Sequence, residues 1–130
     1  MHHRIRLAGP WEWQVIGSPQ QSTREAARCQ LPFTLSGDQR ESGVVLTRRF
    51  HRPTGINDAT TLRIVLQASR KPVDVQLNGK SLPGSESSVA AEYCFNLTGR
   101  VEPFNQLSVL LLPQTDASAT LQSAWLEIWD

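Results

Sequence analysis

The sequence predicts an all-β sandwich, a single domain over residues 1–130 with seven to nine short strands. Apolar and polar residues alternate with a period of two along much of the chain, which is typical of strands with one buried face. Turn signals such as Gly17-Ser18-Pro19 and Pro83-Gly84-Ser85 separate these segments. The length of 130 residues corresponds to one average domain.

The first strands are indicated by residues 11–15 and by residues 44–52. The second of these segments ends at Pro53, which cannot donate a hydrogen bond to a sheet ladder. Between them, residues 22–28 are a helix candidate of two turns at most, because Ser22 is a possible cap and a glutamate follows three residues later.

The middle of the chain carries the clearest local pattern. Thr61–Ala68 alternates apolar and polar side chains, and residues 73–77 do the same before Asn78-Gly79. An Asn-Gly pair favours the positive φ angles of a type I′ turn, so we expect a hairpin over residues 73–82.

The last third of the chain contains three further strand patterns. In the final one, alternation places Trp125, Glu127 and Trp129 on one face, opposite Leu126 and Ile128. The three predicted strands are residues 92–97, 106–112 and 121–129.

Composition and charge exclude several classes of protein. Hydrophobic residues make up 39% and charged residues 19%, as in a folded chain with an ordinary core. The net charge is +1, and eleven of the thirteen bases are arginine without any long basic run, so we expect no nucleic-acid partner. The apolar run at residues 109–112 is far below the ~20 residues that cross a bilayer, so no membrane partner is expected.

No secretory signal is visible, because the basic residues 1–6 have no apolar segment behind them. The default expectation is therefore a cytoplasmic protein with reduced thiols. The sequence leaves open whether Cys29 and Cys94, which are 65 positions apart, form a disulfide.

Catalytic and metal-binding patterns are weak. No motif ties two carboxylates together, and His51 is the one histidine away from the N-terminus. We interpret His2 and His3 as a frayed terminus, and we predict no cofactor and no metal site. A structural calcium ion held by loop carbonyl groups stays open, since sequence does not reveal such sites.

The tryptophans are candidates for sugar contacts, because an exposed indole ring can stack on the apolar face of a sugar. Core or sheet-face packing is the alternative for each of Trp11, Trp13, Trp125 and Trp129. The last two lie four residues apart, roughly 13 Å along a strand, so they cannot grip one sugar ring together.

Arginines follow one another in the second predicted strand. Arg49 and His51 point away from Arg48 and Phe50 and could donate to sugar hydroxyl groups. Salt bridges to acidic residues are nevertheless the favoured interpretation of Arg48, Arg49 and Arg52, and we expect the Arg48 stem to pack across the sheet and pair with an acid.

Seven segments in a fixed order resemble parts of a known module. The set resembles the N-terminal sugar-binding domain of glycoside hydrolase family 2 enzymes, a galactose-binding-like jelly roll. The segments are Leu-Ala-Gly-Pro-Trp-Glu-Trp at residues 7–13, Leu-Pro at 31–32, Gly-Val-Val-Leu-Thr-Arg-Arg-Phe-His-Arg-Pro at 43–53, Val-Gln-Leu-Asn-Gly-Lys at 75–80, Phe-Asn-Leu-Thr at 95–98, Asn-Gln-Leu-Ser-Val at 105–109 and Ala-Trp-Leu-Glu-Ile-Trp at 124–129.

The resemblance also has departures. Leu46 stands where the family has tyrosine, and residues 83–91 lack the His and Gly-Gly-Tyr that full-length enzymes often show. In the family this domain largely performs structural packing, and it can lend residues to a neighbouring active site. The catalytic carboxylates lie in a separate barrel of ~250 residues, so we expect this chain not to be an enzyme.

The sequence therefore predicts a non-catalytic carbohydrate-binding-like module. Its candidate ligand-binding residues are Trp13, Arg49, Trp125 and Trp129, and its partner would be a carbohydrate. The alternative is a structural or protein-interaction module without a sugar site, which self-associates or docks on another protein chain through its tryptophan-bearing face.

Overall fold

The computed structural model describes residues 2–16, 27–35, 43–86, 90–112 and 119–130. This part of the chain forms two antiparallel sheets. Its strands are β1 (His2–Arg6), β2 (Trp11–Val15), β3 (Ala27–Cys29), β4 (Phe33–Thr34), β5 (Val44–His51), β6 (Thr61–Ala68), β7 (Asp74–Leu77), β8 (Lys80–Ser81), β9 (Gly84–Glu86), β10 (Glu92–Asn96), β11 (Phe104–Leu111) and β12 (Thr120–Trp129).

The two sheets have long strands in the middle and short ones at the edges. The first sheet runs in the order β1-β12-β6-β10-β9, and β4 also pairs with β12. The second sheet runs in the order β3-β2-β5-β11-β7-β8. The first and last strands of the chain are therefore neighbours, whereas β2 lies in the other sheet.

The core lies between the sheets and is built from the inward side chains of the long strands. Leucine, valine and isoleucine supply most of it, as the alternation predicts. Trp11 is completely buried there, and its indole N–H donates to the Leu7 carbonyl at 2.9 Å. Fully buried members include Leu46, Ile64, Leu66, Leu107, Val109 and Leu121.

Several predictions are confirmed. The chain is an all-β sandwich, and β6 has the predicted bounds. The hairpin is also present, with φ angles of 53° at Asn78 and 85° at Gly79, both positive as a type I′ turn requires. Strand β5 ends shortly before Pro53, as predicted.

The strand count was predicted too low, because very short strands have no readable period. β3, β4, β8 and β9 have two or three residues each. Of the predicted helix, residues 22–26 lie outside the described residues, whereas Ala27 and Arg28 lie in strand β3. None of the described residues forms a helix, so none forms one long and apolar enough to span a membrane.

The prediction of a frayed N-terminus was wrong. His2–Arg6 pairs with β12 over all five residues. Every side chain of β1 is exposed, so burial imposes no alternation of apolar and polar residues on this strand. Its position is fixed by backbone pairing and by polar contacts across the sheet rather than by burial. Both cysteines are free, Cys29 half-buried in β3 and Cys94 buried in β10.

Candidate functional site

The structure does not bring the four predicted ligand-binding residues together. Trp13 lies in β2, packs against the core and has its ring centroid 6.1 Å from that of Phe33. Arg49 is exposed on the outer face of the second sheet. Trp125 and Trp129 lie on the outer face of the first sheet. The molecule therefore has two separate candidate surfaces.

The first surface, here named the tryptophan face, is the outer face of the first sheet around β12. Cross-strand register places outward side chains of β1 and β6 directly beside those of β12. Cation and aromatic side chains alternate across it. Its members are His2, Arg4, Arg6, Arg63, Trp125, Glu127 and Trp129.

Glu127 is the centre of the tryptophan face and is only 1% exposed. Its Oε1 accepts hydrogen bonds from Arg63 Nε and, at 2.7 Å, from Trp129 Nε1. Its Oε2 accepts one from Arg4 Nε at 2.9 Å and lies 3.3 Å from His2 Nε2. Both carboxylate oxygens are thus engaged, as a buried charge requires.

The ionisation of Glu127 follows from these partners. Burial by itself would raise its pKa. Hydrogen bonds from Trp129, Arg63 and Arg4, together with the charge of Arg63, outweigh burial and lower the pKa from 4.5 to about 2. Glu127 is therefore a carboxylate over the whole ordinary pH range.

The indole rings of this face are in contact with other side chains of the protein. The His2 ring stacks on Trp129 with centroids 3.9 Å apart and planes 14° apart, and the Arg63 guanidinium lies 5.7 Å from the same indole centroid. The Arg6 guanidinium lies 5.8 Å from the Trp125 centroid. Each of the two indole rings therefore already has a cationic or histidine side chain against it.

Residues next to Trp125 on the same outward face are buried. Val65 lies beside Trp125 in the register, and Cys94 lies beside Val65. Val65 is fully buried and Cys94 nearly so, and burial raises the pKa of the Cys94 thiol. This part of the outer face is therefore closed to solvent.

The second surface, here named the Arg49 depression, lies on the outer face of the second sheet. Arg49 and His51 of β5 pair with Gln106 and Phe104 of β11, respectively. These four side chains line a depression of about 330 Å³. Phe104 is 73% exposed, and the His51 ring meets it edge-on at a centroid distance of 5.0 Å.

Two asparagines at the Arg49 depression form hydrogen bonds to each other and to neighbouring backbone groups. Asn78, in the turn of the predicted hairpin, accepts from the Gln106 backbone N–H at 2.8 Å and donates to Asn105 Oδ1 at 3.2 Å. Asn105 is 4% exposed and exchanges two further hydrogen bonds of 2.8 Å with the Glu102 backbone. The Gln106 backbone is therefore held by exposed Asn78, which is in turn bonded to buried Asn105.

A second depression of about 330 Å³ adjoins the first and shares Arg49 and Gln106 with it. Glu12 and Thr47 line its other side. Arg49 and Gln106 thus lie between two recesses on one sheet face.

The arginine ion pairs predicted for β5 are not found in the described part of the chain. Arg48 Nε donates to the Ala8 carbonyl at 2.7 Å and a terminal nitrogen donates to the Arg49 carbonyl, so Arg48 is bound to backbone and not to an acid. The ion pairs between described residues all end on Glu127. The Arg49 guanidinium has neither an ion pair nor a side-chain hydrogen bond among these residues.

Sequence reasoning missed most of both surfaces. Phe104 precedes the predicted start of its strand, so it was not assigned an outward position. Glu127 was noted only as a neighbour of the tryptophans. An acid between two tryptophans on one strand face was a usable signal, since buried carboxylates need several donors. The described residues contain no group of three or more His, Cys, Asp or Glu that could hold a metal ion.

Comparisons with known proteins agree on the fold. No protein-family model matches the chain, and no curated protein matches it in sequence. Among solved structures, it is similar to a putative β-galactosidase from Bacteroides fragilis, with a TM-score of 0.75, 10% identity and coverage of 98% of this chain. A β-glucuronidase from Bacteroides uniformis gives a TM-score of 0.73 at 15% identity and also covers 98%.

A family 2 glycosyl hydrolase from Bacteroides cellulosilyticus gives a TM-score of 0.66 at 11% identity over 99% of this chain. The chain covers 23% of the β-galactosidase, 18% of the β-glucuronidase and 21% of the family 2 glycosyl hydrolase, so it spans about a fifth of each protein. The expected resemblance to a domain of family 2 glycoside hydrolases is confirmed at the level of the fold.

Proposed function

We propose that this chain is a non-catalytic carbohydrate-binding module whose ligand lies in the Arg49 depression. One observation carries the proposal. Arg49 and Gln106 lie between two recesses, directly beside the exposed ring of Phe104, and their polar side-chain groups have no partner among the described residues. The likeness to domains of family 2 glycoside hydrolases supports it, because that resemblance implies a sugar-binding fold.

The chemistry of these side chains suits a sugar. The Arg49 guanidinium offers a rigid fork of donors, and the Gln106 amide offers both donors and an acceptor, which together match neighbouring hydroxyl groups. The Phe104 ring would take the apolar C–H face of the same ring. Of the four residues predicted from sequence, Arg49 is the one that belongs to this site.

The adjoining recess would extend the ligand beyond one ring. Glu12 supplies a carboxylate acceptor there, and Thr47 supplies a hydroxyl group. Such a site is shallow and wet, so its affinity should be weak, because little free energy remains after ordering the side chains and the ligand. An oligosaccharide that fills both recesses should bind better than a single sugar.

The absence of catalysis in the proposal rests on the same residues. Glycoside hydrolysis requires two carboxyl groups on either side of one bond. Among the described residues that line the two recesses, Glu12 is the one carboxyl group. The similar enzymes are about five times longer than this chain, and their activity is not proposed for it.

Binding of the purified chain to a broad glycan array, followed by titration calorimetry with the best oligosaccharide, tests the proposal. We expect Arg49→Gln and Phe104→Ala to weaken binding at least about tenfold each. Arg6→Gln, on the opposite outer face, is the matched control and should leave the affinity unchanged.

Two results would overturn the proposal. One is the absence of binding to any glycan on the array by a protein whose circular dichroism spectrum shows that it is folded. The other is sugar binding that survives Phe104→Ala but is lost in Arg6→Gln, since that would place the ligand on the tryptophan face.

A further inference from the structure

We infer that the tryptophan face is a docking surface for an extended acidic segment of another protein. The inference goes beyond the carbohydrate role and uses none of the residues of the Arg49 depression.

The composition is that of an interface centre. Tryptophan and arginine are the residues most enriched among those that dominate binding energy between proteins. Here two tryptophans and three arginines lie on one sheet face in three adjacent rows. Trp129 is 42% exposed in spite of its neighbours, so a partner would find an apolar edge between cations.

The side chains are ordered before any partner arrives. Glu127 binds Arg4, Arg63 and Trp129 directly, and His2 stacks on the same indole. Long arginine and tryptophan side chains normally lose conformational entropy on binding, and fixing them beforehand reduces that loss. A cluster held in this way binds more tightly than the same side chains free in solvent.

The charge of the face selects an acidic partner. Its three guanidinium groups face one carboxylate, Glu127, which is buried below them. Arg4 and Arg63 are partly exposed beside it, whereas Arg6 has no ion pair among the described residues. The face therefore carries a surplus of about two positive charges, which a partner with carboxylates would neutralise.

Other occupants fit less well. A second copy of this chain would bring the same positive charge against it. Nucleic acid gains affinity by neutralising many phosphates with uncommitted cations, whereas Arg4 and Arg63 are already paired with Glu127. A sugar would need a bare indole face, and both indoles have a cation or a histidine against them.

The β1 edge of the first sheet, which is unpaired among the described residues, favours a partner segment in an extended conformation. Strand β1 ends the first sheet on this side, and no described strand lies beyond it. An extended segment that pairs with β1 would continue the sheet, with every second side chain directed over the tryptophan face. Carboxylates at alternate positions would then lie beside Arg4 and Arg6, which are themselves two residues apart.

Selection from a displayed library of short random peptides on the folded chain tests the inference. We expect the enriched peptides to carry Asp or Glu at alternate positions, and a synthetic copy to bind at least about tenfold more weakly to Arg6→Gln. Arg49→Gln removes the same charge from the opposite face and is the matched control. Because Arg6 is exposed and forms no ion pair with another described residue, its variant should fold normally, which thermal melting checks.

Several outcomes would overturn it. The first is enrichment of peptides that contain no acidic residues. The second is an equal loss of peptide affinity in Arg6→Gln and Arg49→Gln, and the third is unchanged peptide affinity in both variants. Concentration-dependent dimerisation that disappears in Arg6→Gln would assign the face to self-association. Tighter binding of a duplex DNA probe than of the acidic peptide, with the same dependence on Arg6, would assign it to nucleic acid.

Discussion

The two outer faces of the sandwich are built from similar residue types, but their arginines and aromatic rings differ in the partners that they contact. On the tryptophan face, arginines and aromatic rings are bound to one another through Glu127. On the other sheet, the Arg49 guanidinium has no ion pair or side-chain hydrogen bond among the described residues, and the mostly exposed Phe104 ring is met edge-on by His51. One buried carboxylate, Glu127, joins the cations and rings of the tryptophan face, whereas the described residues around Arg49 include no buried carboxylate.

The difference comes from register. In the first sheet, Glu127 lies on a central strand with arginines directly opposite on both sides, Arg4 and Arg63. In the second sheet, Arg49 pairs with the neutral Gln106. The row next to it contains Thr47 and Ser108 together with Glu12, and Glu12 forms no ion pair with Arg49 among the described residues.

The largest expected effect is on the tryptophan face itself. Glu127→Gln removes the charge that compensates Arg4 and Arg63 and should lower the free energy of unfolding by about 3 kcal/mol. Glu12→Gln, the same change on the opposite face, should stay within about 0.5 kcal/mol. Urea unfolding of both variants measures this, and equal losses would mean that the two faces do not differ as described.

Acid should weaken one face selectively. Because folding lowers the pKa of Glu127 from 4.5 to about 2, this residue stabilises the fold fully above pH 4.5. Its contribution is lost as the pH falls from about 4.5 to about 2. We expect a loss of about 2 kcal/mol, after allowing for solvent screening of the partly exposed arginines. Denaturant unfolding across this pH range should show that Glu127→Gln loses less unfolding free energy than the unmodified protein. An equal loss in both proteins would contradict the assignment of the effect to Glu127.

Removing an aromatic ring should destabilise the fold more on the tryptophan face than at the Arg49 depression. Trp129→Ala removes the hydrogen bond to Glu127 and the stacking with His2, and should destabilise the fold by about 1.5 kcal/mol. Phe104→Ala should change stability by less than about 0.5 kcal/mol, because its side chain is mostly exposed. Thermal melting compares the two, and a larger loss for Phe104→Ala would show that the Arg49 depression is part of the packed structure.

The smallest effect concerns the turn beside the Arg49 depression. Gly79 and Gly99 both have positive φ angles, and nothing lies within 4 Å of an added Cβ at either. Alanine at each position should therefore cost about 1 kcal/mol through backbone strain alone. Only Gly79→Ala should also weaken sugar binding, because neighbouring Asn78 fixes Gln106. Calorimetry on both variants checks this, and equal affinities would remove Asn78 from the site.

The period of two was sufficient to predict the long strands and the sandwich, because burial acts directly on Leu62, Ile64 and Leu66. Local turn chemistry was likewise readable at Asn78-Gly79. Strand β1 could not be predicted in the same way. All of its side chains are exposed, and its place depends on pairing with a strand more than a hundred residues later.

The candidate sites were predicted less well than the fold for a related reason. Sequence showed that Trp125 and Trp129 share a face, but it could not show that His2, Arg6 and Arg63 would contact them. Those contacts depend on the order of strands across the sheet. Arg49 could be assigned an outward direction, whereas its partners Gln106 and Phe104 depended on the register of β5 against β11.

The antiparallel pairing of β1 with β12 has one more consequence. His2 lies directly opposite Trp129, so the two ends of the described fold meet at one corner. A short linker between them would produce a closed backbone ring, and new ends could be opened elsewhere without breaking a sheet. Exposed turns such as the one at Asn78-Gly79 are where circular permutants usually succeed. The same geometry would allow the domain to be inserted into a loop of another protein, entering and leaving beside the tryptophan face.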